Sequence, residues 1–171
     1  MMDAQNQVKK LFKFTLAAEH YLLAVDVISE IIRYRPVTQV PTIPEVVHGV
    51  LNLRGKYIPI IDLAKRLTAN QHTEVDAKTC IVVTECSNKE QRVAVGLLVD
   101  EVVDFIDIDA NEVSQPPEFG HSIASDLVEG MIRMDDEDYL ILNVEKLLDL
   151  DKLIEILESN KEKEEDTIEP A

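Results

Sequence analysis

Short stretches in which apolar and polar residues alternate run through most of the chain, and this alternation is typical of half-buried β-strands. It begins over residues 12–16, where Phe12, Phe14 and Leu16 alternate with polar residues, and returns over residues 21–25 after a turn at 18–20. A continuous apolar run over residues 79–84 predicts a central strand. Further strands are predicted over residues 29–34, 37–40 (a short or edge strand between prolines), 92–99, 102–108, 127–134 and 139–142.

Nine or ten short strands with frequent turn signals predict an all-β fold of small barrels or a sandwich. The chain lacks the alternation of strands and helices that a doubly wound sheet requires. No clean internal repeat is evident in the sequence, although both halves contain a hairpin of apolar strands, which is compatible with two similar lobes.

The clearest hairpin lies over residues 50–62, where two apolar runs flank Arg54 and Gly55. Because glycine adopts positive φ without steric cost, Arg54-Gly55 reads as a tight turn. Arg54 would then be displayed at the tip of a rigid hairpin, an arrangement that favours recognition of a partner over catalysis.

Helical segments are few and short. Residues 44–47 fit one helical turn that Gly49 ends, and Asp62 caps a short helix after the hairpin. Asn143 caps the one convincing helix, whose apolar stripe runs over residues 147–157.

The composition narrows the classes of partner. The chain has 171 residues, 46% of them hydrophobic, and a formal net charge of −16. Such an acidic chain repels nucleic acid and anionic lipid but suits a basic or mixed protein partner. No signal peptide is apparent and no apolar run approaches the roughly 18 residues of a membrane span, so we expect a cytoplasmic protein without direct membrane insertion.

Neither a metal nor a cofactor is expected. The histidines, His20, His48, His72 and His121, lack the spacing of zinc ligands, and no glycine-rich phosphate loop is present. Cys80 and Cys86 fall on one face of a strand about 20 Å apart, too far for a disulfide, and we expect them to be buried and reduced.

Acid–base catalysis has little support in the sequence. Asp100, Glu101 and Asp104 follow an apolar strand, but acids alternating with apolar residues usually form the wet face of a strand. A small hydrolase using His48 or Asp100 remains the alternative from another functional class.

Glu30 is an acid within an apolar patch formed by Ile28, Ile31 and Ile32. Glu30 and Arg54 could each be a surface charge or a member of an intramolecular ion pair. The functional alternative is a hydrophobic groove edged by charges that fix the register of a partner, since interfaces often combine apolar anchors with arginine.

The order of motifs resembles that of the CheW-like domain family of chemotaxis coupling proteins. The matching segments are Phe14-Thr15-Leu16, Tyr21, Ser29-Glu30-Ile31, Val37-Thr38, Pro44, the stretch Val46 to Asp62 with its Asn52-Leu53-Arg54-Gly55 signature, Val95 to Val102, Pro117-Glu118-Phe119, Leu127 to Gly130 and Leu140 to Leu148. The resemblance implies one domain over residues 12–150, made of two intertwined five-stranded SH3-like barrels that divide near residues 75–80 and can exchange strands. Residues 151–171 would form the end of the C-terminal helix and a charged tail.

The resemblance also implies a non-catalytic adaptor without cofactors. It would couple methyl-accepting chemoreceptors, through their cytoplasmic hairpin tip, to the regulatory domain of the histidine kinase CheA, and other CheW-like chains would join it in rings within receptor arrays. The matched binding surface is Ile28, Glu30, Gly49, Asn52, Leu53, Arg54 and Gly55, with Cys80 as a neighbour. The acidity would suit a divergent system that controls pili or gene expression. A coupling protein that carries a phosphoacceptor domain is the second alternative, although the residues after 150 are too few to hold one.

Overall fold

A computed structural model describes residues 7–39, 46–67, 72–88, 91–115 and 127–148, with the side chains of residues 86–88, 91 and 148 left aside. These residues form ten β-strands and two short α-helices, which confirms the all-β class. The strands are β1 (Val8–Leu16), β2 (Glu19–Ala24), β3 (Ile28–Arg33), β4 (Val47–Leu53), β5 (Lys56–Asp62), β6 (Cys80–Asn88), β7 (Gln91–Val99), β8 (Glu101–Asp109), β9 (Val128–Met134) and β10 (Glu137–Leu142). The helices are α1 (Leu63–Leu67) and α2 (Val144–Leu148).

The strands form two five-stranded sheets, each of which we call a lobe. The first lobe has the order β3-β6-β7-β5-β4, and the second has the order β8-β1-β2-β10-β9. The first two strands of the chain thus belong with the last three, so the lobes are intertwined. The chain passes between lobes through a 3-10 turn at Val25–Val27 and again between Val99 and Glu101. Residues 75–80, the expected division, lie between β5 and β6 of one sheet.

Strand pairing does not close either sheet into a complete barrel. The edge strands β3 and β4 of the first lobe share no ladder in the described residues. Residues 34–39, which we call the first strap, instead run from the end of β3 to the outer edge of β4, where Thr38 and Val50 exchange two backbone hydrogen bonds of 2.8 Å. The strap therefore covers an edge that would otherwise present unpaired backbone groups.

The two lobes repeat one architecture, which agrees with the two similar lobes that the sequence allowed, although no clean internal repeat was evident there. Written in sheet order, β3-β6-β7-β5-β4 corresponds to β8-β1-β2-β10-β9, and each lobe has a parallel pair at the same place, β5 with β7 and β10 with β2. Each outer strand also has a one-residue bulge in the same position, at Ser29 on β3 and at Val103 on β8.

Residues 47–67 correspond without a gap to residues 128–148, each segment forming a hairpin followed by a helix. The second lobe has its own strap crossing, where Ser114 and Met131 exchange two backbone hydrogen bonds of 2.8 Å. The repeat escaped detection because few of the paired positions are identical in sequence. The identical pairs are Val47 and Val128, Gly49 and Gly130, Ile60 and Ile141, Lys65 and Lys146, and Leu67 and Leu148.

Gly49 lies inside β4, so the prediction that it ends a helical turn is wrong. A β-carbon on Gly49 would lie 2.5 Å from Val37 Cγ2 and 2.8 Å from the Thr38 carbonyl oxygen, both in the first strap. A β-carbon on Gly130 would likewise lie 2.5 Å from Val113 Cγ1. Both glycines therefore permit a strap to cross an edge strand at close range. The helical turn predicted over residues 44–47 falls partly outside the described residues.

Three apolar cores follow from the two-residue period of the strands. On β6, Ile81 and Val83 face a core inside the first lobe, whereas the intervening Val82 faces a core between the lobes. The second lobe has its own core, which includes Leu11 and Leu22. Strands that contribute to two cores are buried on both faces, which explains the continuous apolar run predicted for residues 79–84.

Both α-helices cover the core between the lobes. Leu63 from α1 and Leu147 from α2 are buried there. As predicted, the Asp62 and Asn143 side chains cap these helices, each accepting a hydrogen bond from a backbone N–H three residues later. Arg66 in α1 also donates from Nε to the Leu147 carbonyl oxygen at 2.6 Å, which ties the two helices together.

Asp100 joins the lobes where the chain crosses between them for the second time. Its Oδ2 accepts a hydrogen bond of 2.8 Å from the Ala17 backbone N–H, and its Oδ1 accepts one of 2.7 Å from the Thr73 hydroxyl. The β1–β2 turn is made by Ala17 and Ala18 at φ of 50° and 67°. Because alanine is strained at positive φ, the Asp100 hydrogen bond helps to hold this turn.

We predict that Gly49→Ala and Gly130→Ala each destabilise the protein, because the new methyl group would displace a strap. The expected loss in free energy of unfolding is about 1–3 kcal/mol, the usual cost of overpacking. Urea unfolding followed by circular dichroism measures it. Gly55→Asn is the control, since a β-carbon at Gly55 meets nothing within 4 Å and asparagine tolerates its φ of 84°. A loss no greater than that of the control would contradict the strap interpretation.

We also predict that Asp100→Ala lowers the free energy of unfolding by about 1–3 kcal/mol, because the Ala17 N–H and the Thr73 hydroxyl both lose their acceptor. Asp107→Ala, at an exposed position of β8, should change stability by less than about 0.5 kcal/mol. Equal stability of the two variants would show that the carboxylate does not bridge the lobes.

Candidate functional site

The tip of the β4–β5 hairpin is built by a local turn that the sequence encodes. Arg54 and Gly55 have φ of 53° and 84°, which confirms the predicted tight turn. The Asn52 side-chain oxygen accepts a hydrogen bond of 3.0 Å from the Gly55 N–H, so Asn52 closes the turn. Leu53 is buried in the first-lobe core and anchors the tip from below.

Arg54 and Glu30 form an ion pair with two hydrogen bonds. The guanidinium donates from Nη1 to Glu30 Oε2 at 2.6 Å and from Nη2 to Oε1 at 3.0 Å. Glu30 lies on β3 opposite Val83, so the pair spans the rim of the first lobe from one edge strand to the distant hairpin tip. The fork geometry fixes the orientation of the guanidinium as well as its position.

The two charges differ in exposure. The Arg54 side chain is 73% exposed, whereas the Glu30 side chain is 26% exposed. The hydrogen bonds from Arg54 lower the pKa of the Glu30 carboxyl, and those to Glu30 raise the pKa of the Arg54 guanidinium, because each stabilises the charged form of its partner. Both side chains therefore remain ionised. The pair exposes the Arg54 guanidinium to solvent, and the less exposed Glu30 carboxylate holds it in place by hydrogen bonds.

The apolar residues predicted around Glu30 are partly buried and divide between two cores. Ile28 and Ile31 pack against the core between the lobes, and Ile32 packs against the first-lobe core. Because Ile28 and Ile31 flank Glu30 on β3, the edge of the core between the lobes lies next to the ion pair. The structure thus brings Ile28, Glu30, Asn52, Arg54 and Gly55 to one rim, which we call the first-lobe rim.

Gly49 and Cys80, which were also predicted to belong to the binding surface, do not lie on the first-lobe rim. Gly49 is buried and admits the first strap, so its position has a packing explanation. Cys80 pairs with Arg33 at the far end of β3, and its thiol lies 3.5 Å from the Lys78 carbonyl oxygen. The thiol is free and half-buried, and its burial raises its pKa. Cys86 lies on the same strand, but its side chain falls outside the described residues.

Tyr57 is a rim residue that the sequence interpretation missed. Its side chain is 73% exposed, and it lies directly opposite Asn52 on the outer face of the hairpin. The signal was available in the alternation of β5, because Ile58 and Ile60 face the core and Tyr57 therefore faces outward. Tyrosine and arginine are the residue types that most often dominate binding energy at interfaces.

His48 has a structural hydrogen bond instead of a catalytic arrangement. One ring nitrogen, Nε2, lies 3.0 Å from the Tyr34 hydroxyl in the first strap. Burial lowers the pKa of His48, so the neutral ring is favoured. The bond joins β4 to the strap that covers its edge.

The described residues contain neither a metal-binding cluster nor a membrane-spanning helix. No group of three or more histidine, cysteine or acidic side chains there is arranged to hold a metal ion. None of the helices among these residues is long and apolar enough to cross a membrane.

Comparison with known proteins agrees with this architecture. A family model described as the CheW-like domain matches residues 10–152. The chain is 34% identical over 140 residues to chemotaxis protein CheW of Klebsiella aerogenes, covering 82% of this chain and 81% of that protein. It is 31% identical over 140 residues to a probable chemotaxis protein CheW of Rhizobium etli, covering 81% and 86%.

A solved structure gives the same result in three dimensions. The scaffolding protein TtCheW of Thermoanaerobacter tengcongensis matches with a TM-score of 0.74 and 33% identity, covering 83% of this chain and 88% of that one. The family model, the sequence relatives and the paired five-stranded sheets all agree, and the chain therefore belongs to the CheW-like domain family of chemotaxis proteins.

Proposed function

We propose that this protein is a non-catalytic adaptor that couples methyl-accepting chemoreceptors to the histidine kinase CheA and supports the assembly of receptor arrays. Its membership of the CheW-like family supports this role. The structural observation that carries the site assignment is the Glu30–Arg54 pair, held between an edge strand and a hairpin tip. The adaptor would act in the cytoplasm, at the inner face of the membrane, through its partners, and other CheW-like chains would extend the array.

The first-lobe rim is suited to recognition because Arg54 is both fixed and available. A guanidinium has five N–H donors, and Glu30 accepts hydrogen bonds from two of them. The remaining donors can bind carbonyl or carboxylate oxygens of a partner without the loss of side-chain entropy that a free arginine would incur. The partly buried Ile28 and Ile31 would supply apolar contact for the helical hairpin tip of a receptor.

The groups that a hydrolase would need have structural roles. Both carboxylate oxygens of Asp100 accept hydrogen bonds that join the lobes. The His48 ring is hydrogen-bonded to Tyr34, and its burial disfavours the protonated form. These contacts favour the adaptor over the hydrolase alternative.

Signal transfer by such an adaptor needs differential binding. A receptor change alters kinase activity only if the assembly binds the kinase-on and kinase-off states with different free energies. A rim whose side chains are fixed by hydrogen bonds suits this task, because a conformational change in the receptor tip would then alter the binding free energy instead of being accommodated by side-chain movement.

We predict that Arg54→Glu weakens binding to a receptor cytoplasmic hairpin at least tenfold and leaves binding to the CheA regulatory domain within twofold. The substitution places two acids together on the first-lobe rim and removes its exposed donors. Surface plasmon resonance with each immobilised partner measures both affinities. The melting temperature should change little, because the Arg54 side chain, the one that is replaced, is largely exposed to solvent.

The exchanged variant Glu30→Arg/Arg54→Glu is the sharper control. It can restore an internal ion pair but presents the opposite charge to a partner. If Arg54 contacts the receptor, the exchange will not restore binding. Full recovery of receptor binding by the exchange would show that the pair only stiffens the hairpin, and unchanged binding by Arg54→Glu would remove the rim from the receptor site.

A further inference from the structure

The repeated architecture places a second rim on the second lobe, at the positions equivalent to the first. By strand register, Asp104 on β8 corresponds to Glu30 on β3, because each follows the bulge of its edge strand. By hairpin position, Asp135 corresponds to Arg54, and their φ values of 51° and 53° are nearly equal. Asp138 in turn corresponds to Tyr57.

The positions where a strap crosses, a helix is capped or a lobe core is filled have similar residues in the two lobes, whereas the residues that the rims display differ. Gly49 and Gly130 admit the straps, and Asp62 and Asn143 cap the helices. Ile60 and Ile141 fill the two lobe cores. The fold thus constrains these positions in both lobes. It does not require a glutamate, an arginine and a tyrosine at the tip, since the second lobe folds with three aspartates there.

The second rim is strongly acidic. Four consecutive acids, Asp135 to Asp138, are exposed, and among them only Asp138 has an ion pair in the described residues, with Arg133 at 3.5 Å. Lys13 lies opposite Asp104 in the ladder, but its Nζ is placed over the Tyr139 ring, 4.7 Å from the ring centroid. The position equivalent to Arg54 holds an acid, and the exposed Arg133, at the position equivalent to Asn52, pairs with Asp138.

We propose that Asp104, Asp135 and Asp138 are specificity-determining residues that exclude the hairpin partner from the second lobe, so that one chain binds one receptor tip through its first lobe. This inference rests on the proposed function. A partner surface that accepts hydrogen bonds from Arg54 presents oxygen atoms, and the acids at the equivalent positions would repel that surface. Specificity between two similar surfaces commonly depends on such a repulsive element.

The test transfers the first-lobe residues to the second lobe in the full chain. The variant Asp104→Glu/Asp135→Arg/Asp138→Tyr recreates the three displayed side chains on a backbone that already has the required conformation. Isothermal titration with a receptor cytoplasmic hairpin should give one hairpin per wild-type chain and two per grafted chain. Adding Arg54→Glu to the graft should return the ratio to one, now bound through the second lobe.

Asp136→Arg is the matched control, because it adds the same cation to the same turn at the position equivalent to Gly55. It should leave the ratio at one. Circular dichroism establishes whether each variant is folded. If the triple variant does not fold, the double variant Asp104→Glu/Asp135→Arg replaces it in the titration. A folded graft that still binds one hairpin, or a wild-type chain that binds two, would overturn the inference. A wild-type chain that binds none would instead overturn the proposed function.

Discussion

The core between the two lobes is the feature on which the rest of the structure depends. Side chains alternate across a strand, so a strand that fills its own lobe with every second residue must expose or bury the others. In β6 and β7, Ile81 and Leu98 fill the first-lobe core, whereas the adjacent Val82 and Leu97 are buried between the lobes. Separating the two lobes would expose this apolar face to water, and the burial of apolar area is the main favourable term in folding.

Much of the fold could be predicted from local patterns. The turn at Arg54-Gly55 and the helix caps at Asp62 and Asn143 were predicted because each depends on a residue type with a defined backbone preference. The first turn was predicted at residues 18–20, whereas Ala17 and Ala18 form it, because alanine carries no turn signal. Its positive φ angles depend on a hydrogen bond from Asp100, which is distant in sequence.

The sequence predicted which residues belong to the candidate site, but it did not predict how they are arranged in space. Glu30 was notable as an acid within an apolar patch, and Arg54 as a cation at a turn. Their contact depends on the order of strands in the sheet, since β3 and β4 lie at opposite edges and meet only through the curvature of the lobe and the first strap. A single sequence contains no signal for that approach. No clean repeat was evident in the sequence for a related reason, because the repeat lies in strand order and register more than in residue identity.

The repeat offers an internal comparison that separates folding requirements from displayed chemistry. Positions that have similar residues in both lobes are those where a strap crosses, a helix is capped or a core is filled. The residues displayed at the rims differ, although the backbone has nearly the same conformation at the two hairpin tips. A glutamate and an arginine that were needed only to close a lobe would be expected in the second lobe too. Their absence there argues that the first-lobe rim owes its residues to a partner, since the same architecture folds without them.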